Sequence, residues 1–148
     1  MPDTEFGAVG LRPLFERFES RRAAPDAEGL ATMYAEEVMM AGPSGARVVR
    51  SADLRLAIPK RRRLLESAGC QGTTLAGFDE SALTGRYSLV RAQFQWRFDA
   101  ANAEAAAITL PSTFVVDRGG QAPRIVLYMN EQDVVSVLRE RGVLPPLT

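Results

Sequence analysis

Few side chains in this sequence can move a proton, hold a metal or attack a substrate: histidine is absent and Cys70 is the one cysteine. That excludes Ser-His-Asp and Cys-His nucleophiles, imidazole acid–base steps, His-ligated metals, internal disulfides and Cys-rich zinc sites together. The groups left for chemistry are phenols, carboxylates and amides. Tyr128 and Asn130 have the same parity near the C-terminus, so an extended backbone puts both on one face. If that face points inward, a phenol and an amide meet the interior. An unpaired polar group there costs about 1–3 kcal/mol, so a partner, a water or a ligand is expected beside it. Ser112 joins the same ring of polar groups. Tyr128 and Asp133 are the candidates for proton transfer, although catalytic residues as such are not defined by any motif.

Other polar clusters have plainer readings. Lys60-Arg61-Arg62-Arg63 is the densest charge run, but it lacks the aromatic and further basic company of a phosphate-binding surface, and reads as a solvated helix face. Cys70 follows the helix-ending Gly69 with no basic neighbour to stabilise a thiolate, and reads as unreactive. Asp79, Glu80 and Asp133 are explained by turns and caps.

The positioning elements follow from composition and periodicity. The 148 residues are 46% hydrophobic and 24% charged, with 18 basic and 18 acidic side chains, which describes one globular domain over 1–148 with residues 1–8 fraying. The balanced charge gives no field toward nucleic acid or a membrane, and no apolar run reaches the roughly 20 residues that span a bilayer. With no charged-then-apolar leader at the N-terminus, a cytoplasmic location is expected. Leu11, Leu14, Phe15 and Phe18 form one helical stripe. Asp26 is placed to cap a short helix presenting Leu30, Met33 and Tyr34 inward. Val38–Ala41 reads as a brief strand ended by Gly42-Pro43-Ser44-Gly45. Ser51 is the expected N-cap of a helix to Ala68, kinked or divided at Pro59 and stopped by Gly69.

The second half changes to a period of two. Residues 72–79 suggest a strand. From Tyr87 to Asp99, Val90, Ala92, Phe94, Trp96 and Phe98 alternate with Arg91, Gln93, Gln95 and Arg97, giving one packed and one wet face. A turn at 100–104 leads to a strand over 106–116 that buries Ile108, Leu110, Phe114 and Val116, with Pro111 at an edge or bulge. Asp117-Arg118-Gly119-Gly120 makes a hairpin loop, Arg124–Met129 a last strand, and Val134, Val135, Leu138 and Val143 a closing helix and tail. Helices first and a sheet afterwards predict an α+β fold. Strands of this length need twist or bulges, so the expected form is a curved antiparallel sheet wrapped around the N-terminal helices, a cone with an internal cavity.

In order and spacing, three segments resemble the NTF2-like superfamily, the group of SnoaL-like proteins and ketosteroid isomerases with a cystatin-like fold. They are Phe18 through Asp26 to Met33-Tyr34-Ala35-Glu36-Glu37-Val38 with Gly42-Pro43, the strand ending Gln95-Trp96-Arg97-Phe98, and Arg124-Ile125-Val126-Leu127-Tyr128 running through Asn130 and Asp133 to Gly142. The likeness covers residues 10–146 and implies a subfamily without assigned function. In ketosteroid isomerases a tyrosine and a protonated aspartate polarise the substrate oxygen while a second aspartate moves the proton. The resemblance sets Phe18 at the tyrosine, Gly42 at the base and Ser112 near the proton-holding aspartate, so that mechanism lacks its proton carriers. Cyclases and dehydratases of the SnoaL-like kind lean on histidine. Epoxide hydrolases of the limonene type use an Arg and two Asp. Arg97-Phe98-Asp99 has a matching spacing but lies on the polar strand face, and the companion position falls at Asn130.

The expected function is therefore binding of a small apolar molecule, with no metal and no cofactor, by a cavity formed by Phe18, Tyr34, Met40, Phe94, Trp96, Ser112, Phe114, Tyr128 and Asn130. An isomerase, dehydratase, cyclase or epoxide hydrolase using Tyr or Asp, and a dimerisation module with a filled core, stay open as alternatives. A homodimer is expected through the outer sheet face bearing Arg91, Gln93, Gln95 and Arg97.

Overall fold

A computed structural model of the chain describes residues 10–23, 27–99, 107–142 and 144; the side chains of residues 18–23, 27 and 28 lie outside that description. Helices α1 (Arg12–Ala23) and α2 (Ala27–Ala31) precede strands β1 (Tyr34–Gly42) and β2 (Gly45–Arg50). Helix α3 (Ser51–Ser67) follows, then β3 (Cys70–Ala82), β4 (Tyr87–Phe98), β5 (Ala107–Asp117), β6 (Arg124–Asn130) and α4 (Val134–Glu140). The expected cap Asp26, the turn at 100–104, Val143 and the Phe18 side chain all lie outside the described residues.

The strands form one curved sheet in the order β2-β1-β6-β5-β4-β3. The fold is α+β, as the periodicity predicts, with one difference in the sheet. β1 runs parallel to β6, while the other neighbours are antiparallel. No tight turn joins those two strands, so nothing forces them to run in opposite directions. The register shifts at three interior points, between Tyr34 and Met39, Leu75 and Gly77, and Val115 and Val116. Each irregularity adds local twist and bends its strand, which is how strands of this length stay packed on one side.

The two long strands follow their alternation. On β4, Ser88, Val90, Ala92, Phe94, Trp96 and Phe98 are buried; on β5, Ile108, Leu110, Ser112, Phe114 and Val116 are. The β5–β6 ladder ends at Ser112–Asn130, so Pro111 lies on a stretch of β5 paired with β4 alone. That is a local edge, where a missing donor is tolerated. Helix α1 closes the concave side at this end: the Phe15 ring lies 4.7 Å from Phe114 and 5.8 Å from Phe78. Glu80 fixes the start of that helix, its Oε1 accepting from the Leu11 N–H at 2.7 Å.

Three local expectations are corrected. Tyr34 is buried but opens β1 instead of ending α2; the Met33 N–H bonds back to Leu30, and Tyr34 pairs with Ile125. The brief strand at Val38–Ala41 is the middle of a longer β1, and Arg47-Val48-Val49, assigned to no element above, pair with it as β2. The Pro43-Ser44 turn closes this hairpin, with Gly45 at φ +128°. Ser51 is the first residue of α3, not its cap: β2 keeps Arg50 extended up to the helix, and Arg50 makes no side-chain cap bond. Pro59 lies inside an undivided α3, and Gly69 ends the helix at φ +90°, where a Cβ would meet the Asp99 carboxylate.

At the opposite end of the sheet Arg86 holds Asp117 with two bonds of 2.7 and 2.8 Å, and the Gly119 N–H donates to the same carboxylate. The Arg86 bond holds Asp117 below its ordinary carboxylate value, so the clamp is released only when acid protonates this carboxylate. No helix of the described residues is long and apolar enough to cross a membrane.

Candidate functional site

Helix α3 has an inward stripe made by Leu54, Ala57, Ile58, Arg61 and Leu65, residues three and four apart. Opposite it stand Tyr34 and Met40 of β1, Val49 of β2, Trp96 of β4 and Tyr128 and Asn130 of β6. Between them lies a partly open cavity of about 1010 Å³. Small-molecule sites typically span ~300–1,000 Å³, so one organic molecule of ordinary size fits with room for water. Ser44, the start of β2 as far as Arg47, and Cys70-Gln71-Gly72 also line it.

A short ion pair is set into these walls. The Arg61 Nη2 donates to Asp133 Oδ1 at 2.7 Å, joining α3 to the start of α4 across 72 residues of sequence. Asp133 also caps α4, its Oδ2 accepting from the Val135 N–H at 3.1 Å. Burial works against the Arg61 charge, but the Asp133 carboxylate, then the Tyr128 and Tyr34 phenols, outweigh it and raise its pKa above the ordinary value. Its side chain is 34% exposed and lines the cavity.

Of the nine residues predicted to bind a ligand, five line the cavity: Tyr34, Met40, Trp96, Tyr128 and Asn130. Phe94, Phe114 and Ser112 do not. Phe94 and Phe114 are fully buried in the layer that α1 covers, where Phe114 meets Phe15, Phe94 and Tyr128 at 4.7, 6.3 and 4.6 Å. That end of the hollow is filled by Phe15, so aromatic side chains of one strand divide between core and cavity wall. Ser112 lies across from Asn130 on the neighbouring strand and donates to its Oδ1 at 2.6 Å. The polar ring therefore supplies its own partner at this point, and Ser112 acts by orienting the Asn130 amide.

The reading of Lys60–Arg63 as a solvated face is corrected for two members. Arg61 points inward, and Arg62 lies at the cavity edge with its Nε 3.7 Å from Glu66. The signal was present as the seven-residue step from Leu54 to Arg61, which the continuous charge run conceals. Gly42, at the position of the isomerase base, lines the cavity without a functional group. Arg97 is exposed on the outer face and donates to Thr74, away from the cavity. Cys70 is half-buried at the rim, its Sγ 3.8 Å from the Gly72 carbonyl. Among the described residues no group of three His, Cys, Asp or Glu is arranged to hold a metal.

A six-stranded curved sheet with a helix-covered hollow is the NTF2-like, cystatin-like fold, and solved structures share it with this chain. An NTF2-like protein with a cystatin-like fold from Novosphingobium aromaticivorans superposes with a TM-score of 0.66 at 18% identity, over 92% of this chain and 87% of that one. An NTF2-like protein of unknown function from Shewanella oneidensis gives 0.65 at 15%, over 81% and 94%. The β subunit of benzoate 1,2-dioxygenase from Burkholderia mallei gives 0.60 at 14%, over 84% and 93%. At these identities the likeness is one of fold. No protein-family model and no curated protein matches the sequence.

Proposed function

We propose that the cavity binds one small, largely apolar organic molecule and that the chain acts as a binding module and not as a catalyst. The observation that carries this reading is the open hollow of about 1010 Å³ with Leu54, Ile58, Leu65, Met40 and Trp96 on its walls. Such a space argues against a dimerisation module with a filled core. Against a SnoaL-like enzyme, each Asp133 oxygen already accepts a hydrogen bond, and the base position is Gly42. Tyr34 and Tyr128 stay as the cavity phenols that a catalytic reading can use.

Trp96 is the chain's one tryptophan and a cavity wall, so its fluorescence reports occupancy. Titration with 1-decanol is expected to give a saturable change in Trp96 emission. Ala57→Phe, which fills space on the inner stripe of α3, is expected to weaken binding at least about tenfold without loss of fold. No saturable response, or one unaffected by Ala57→Phe, contradicts the proposal.

The convex sheet face supports a homodimer. Cross-strand pairing sets Met39, Leu127, Val115 and Leu89 in one row over four strands, and Arg91, Gln93, Gln95 and Arg97 follow Leu89 along β4 at every second residue. Two copies pairing here sediment as a dimer, which Met39→Lys is expected to dissociate; a monomer of the wild-type chain ends this part of the reading.

A further inference from the structure

Within the proposed binding site, Arg61 is the cation set on the inner stripe of α3 among Leu54, Ala57, Ile58 and Leu65. Arg61 has five N–H donors, and its hydrogen bonding to the described residues is the single Nη2–Asp133 contact. Its remaining donors are not buried against apolar atoms, since no Arg61 atom is both buried and unpartnered. They open onto the cavity that the residue lines. The Asp133 carboxylate is committed on both oxygens, to Arg61 and to the start of α4, so it holds the guanidinium in place while leaving one edge of it uncovered. Asn130 adds to this set of donors: Ser112 occupies its carbonyl oxygen, which leaves its amide N–H groups for the cavity.

We infer that the cavity selects an organic carboxylate, whose two oxygens take the open edge of Arg61 while its hydrocarbon body lies against Leu54, Ile58 and Trp96. A planar guanidinium held at one corner matches a carboxylate in a two-bond fork, a geometry that an alcohol cannot reproduce. The lining as a whole carries no net field: Arg47, Arg61 and Arg62 are balanced by Asp53, Glu66 and Asp133. Selectivity arises instead from directed donors on a half-buried wall, where a carboxylate answers the guanidinium edge with charge-assisted bonds. The inference rests on the binding reading above and adds the chemical class of the ligand.

The test compares decanoate with 1-decanol, which share a chain and differ in the head group, by Trp96 fluorescence on the wild type, Arg61→Gln and Arg61→Lys. The expected result is at least about tenfold tighter binding of decanoate by the wild type. Arg61→Gln is expected to abolish that preference by weakening decanoate binding, with an unchanged circular dichroism spectrum as the check of fold. Arg61→Lys is expected to keep part of the preference, because an ammonium supplies charge without the fork. If Arg61→Gln does not fold, the double variant Arg61→Gln/Asp133→Asn removes both charges and carries the same expectation. Equal wild-type affinities, or a decanoate preference that survives loss of Arg61, overturn this inference and leave the binding reading standing. Failure of the wild type to bind either compound overturns both.

Discussion

Phe114→Ala is expected to lower the free energy of unfolding by about 3–5 kcal/mol. Phe114 has no exposed surface and joins three elements at once, through Phe15 on α1, Phe94 on β4 and Tyr128 on β6. Truncation leaves a cavity that the rigid sheet cannot close, so the transfer and cavity costs add. With total stabilities of about 5–15 kcal/mol for domains of this kind, the variant is expected to sit near the edge of folding. Phe114→Leu keeps most of the volume and is expected to lose far less. Urea denaturation followed by circular dichroism checks this: the midpoint should fall sharply for Ala with the slope unchanged. A loss below about 1 kcal/mol for Ala would show that Phe114 is not the packing centre described here.

Asp133→Ala is expected to cost about 2–3 kcal/mol, for two separable reasons. It removes the N-cap of α4, worth about 1 kcal/mol. It also leaves the Arg61 guanidinium without its carboxylate in a partly desolvated wall, where breaking a fully buried pair costs about 3–5 kcal/mol and cavity water screens part of that. The two side chains are 34% and 39% exposed, so the discount is substantial. Asp133→Asn separates the terms, since asparagine caps nearly as well as aspartate but carries no charge. It is expected to lose only the ion-pair part, about 1–2 kcal/mol. Equal stabilities of the Ala and Asn variants in thermal or urea unfolding would show that the cap contributes nothing.

The sequence made the sheet more readable than the cavity. The alternation of β4 needed no tertiary knowledge, because one face of a half-buried strand must be apolar over its whole length, and Val90 through Phe98 obey that. The hairpin of β1 and β2 was only half visible. Arg47 and Arg50 interrupt its apolar pattern, and its pairing depends on the Pro43-Ser44 turn instead of on hydrophobic spacing. Parity placed Tyr128, Asn130 and Ser112 together, and the Ser112–Asn130 bond follows from register that a single strand does not contain. Arg61 was hidden because four consecutive cations look solvated, while the helix turns one of them inward. Which aromatic side chains pack and which line a space depends on where α1 ends, and no spacing rule encodes that.

The most direct measurement of the central claim is the location of a bound apolar molecule. Proton–carbon NMR spectra of methyl and aromatic groups, recorded while 1-decanol is added, are expected to shift at Leu54, Ile58, Tyr34, Trp96 and Tyr128. Met39 and Met129 on the convex face should stay unchanged. Shifts confined to that convex face, or no shifts at saturation of the solvent, would contradict it.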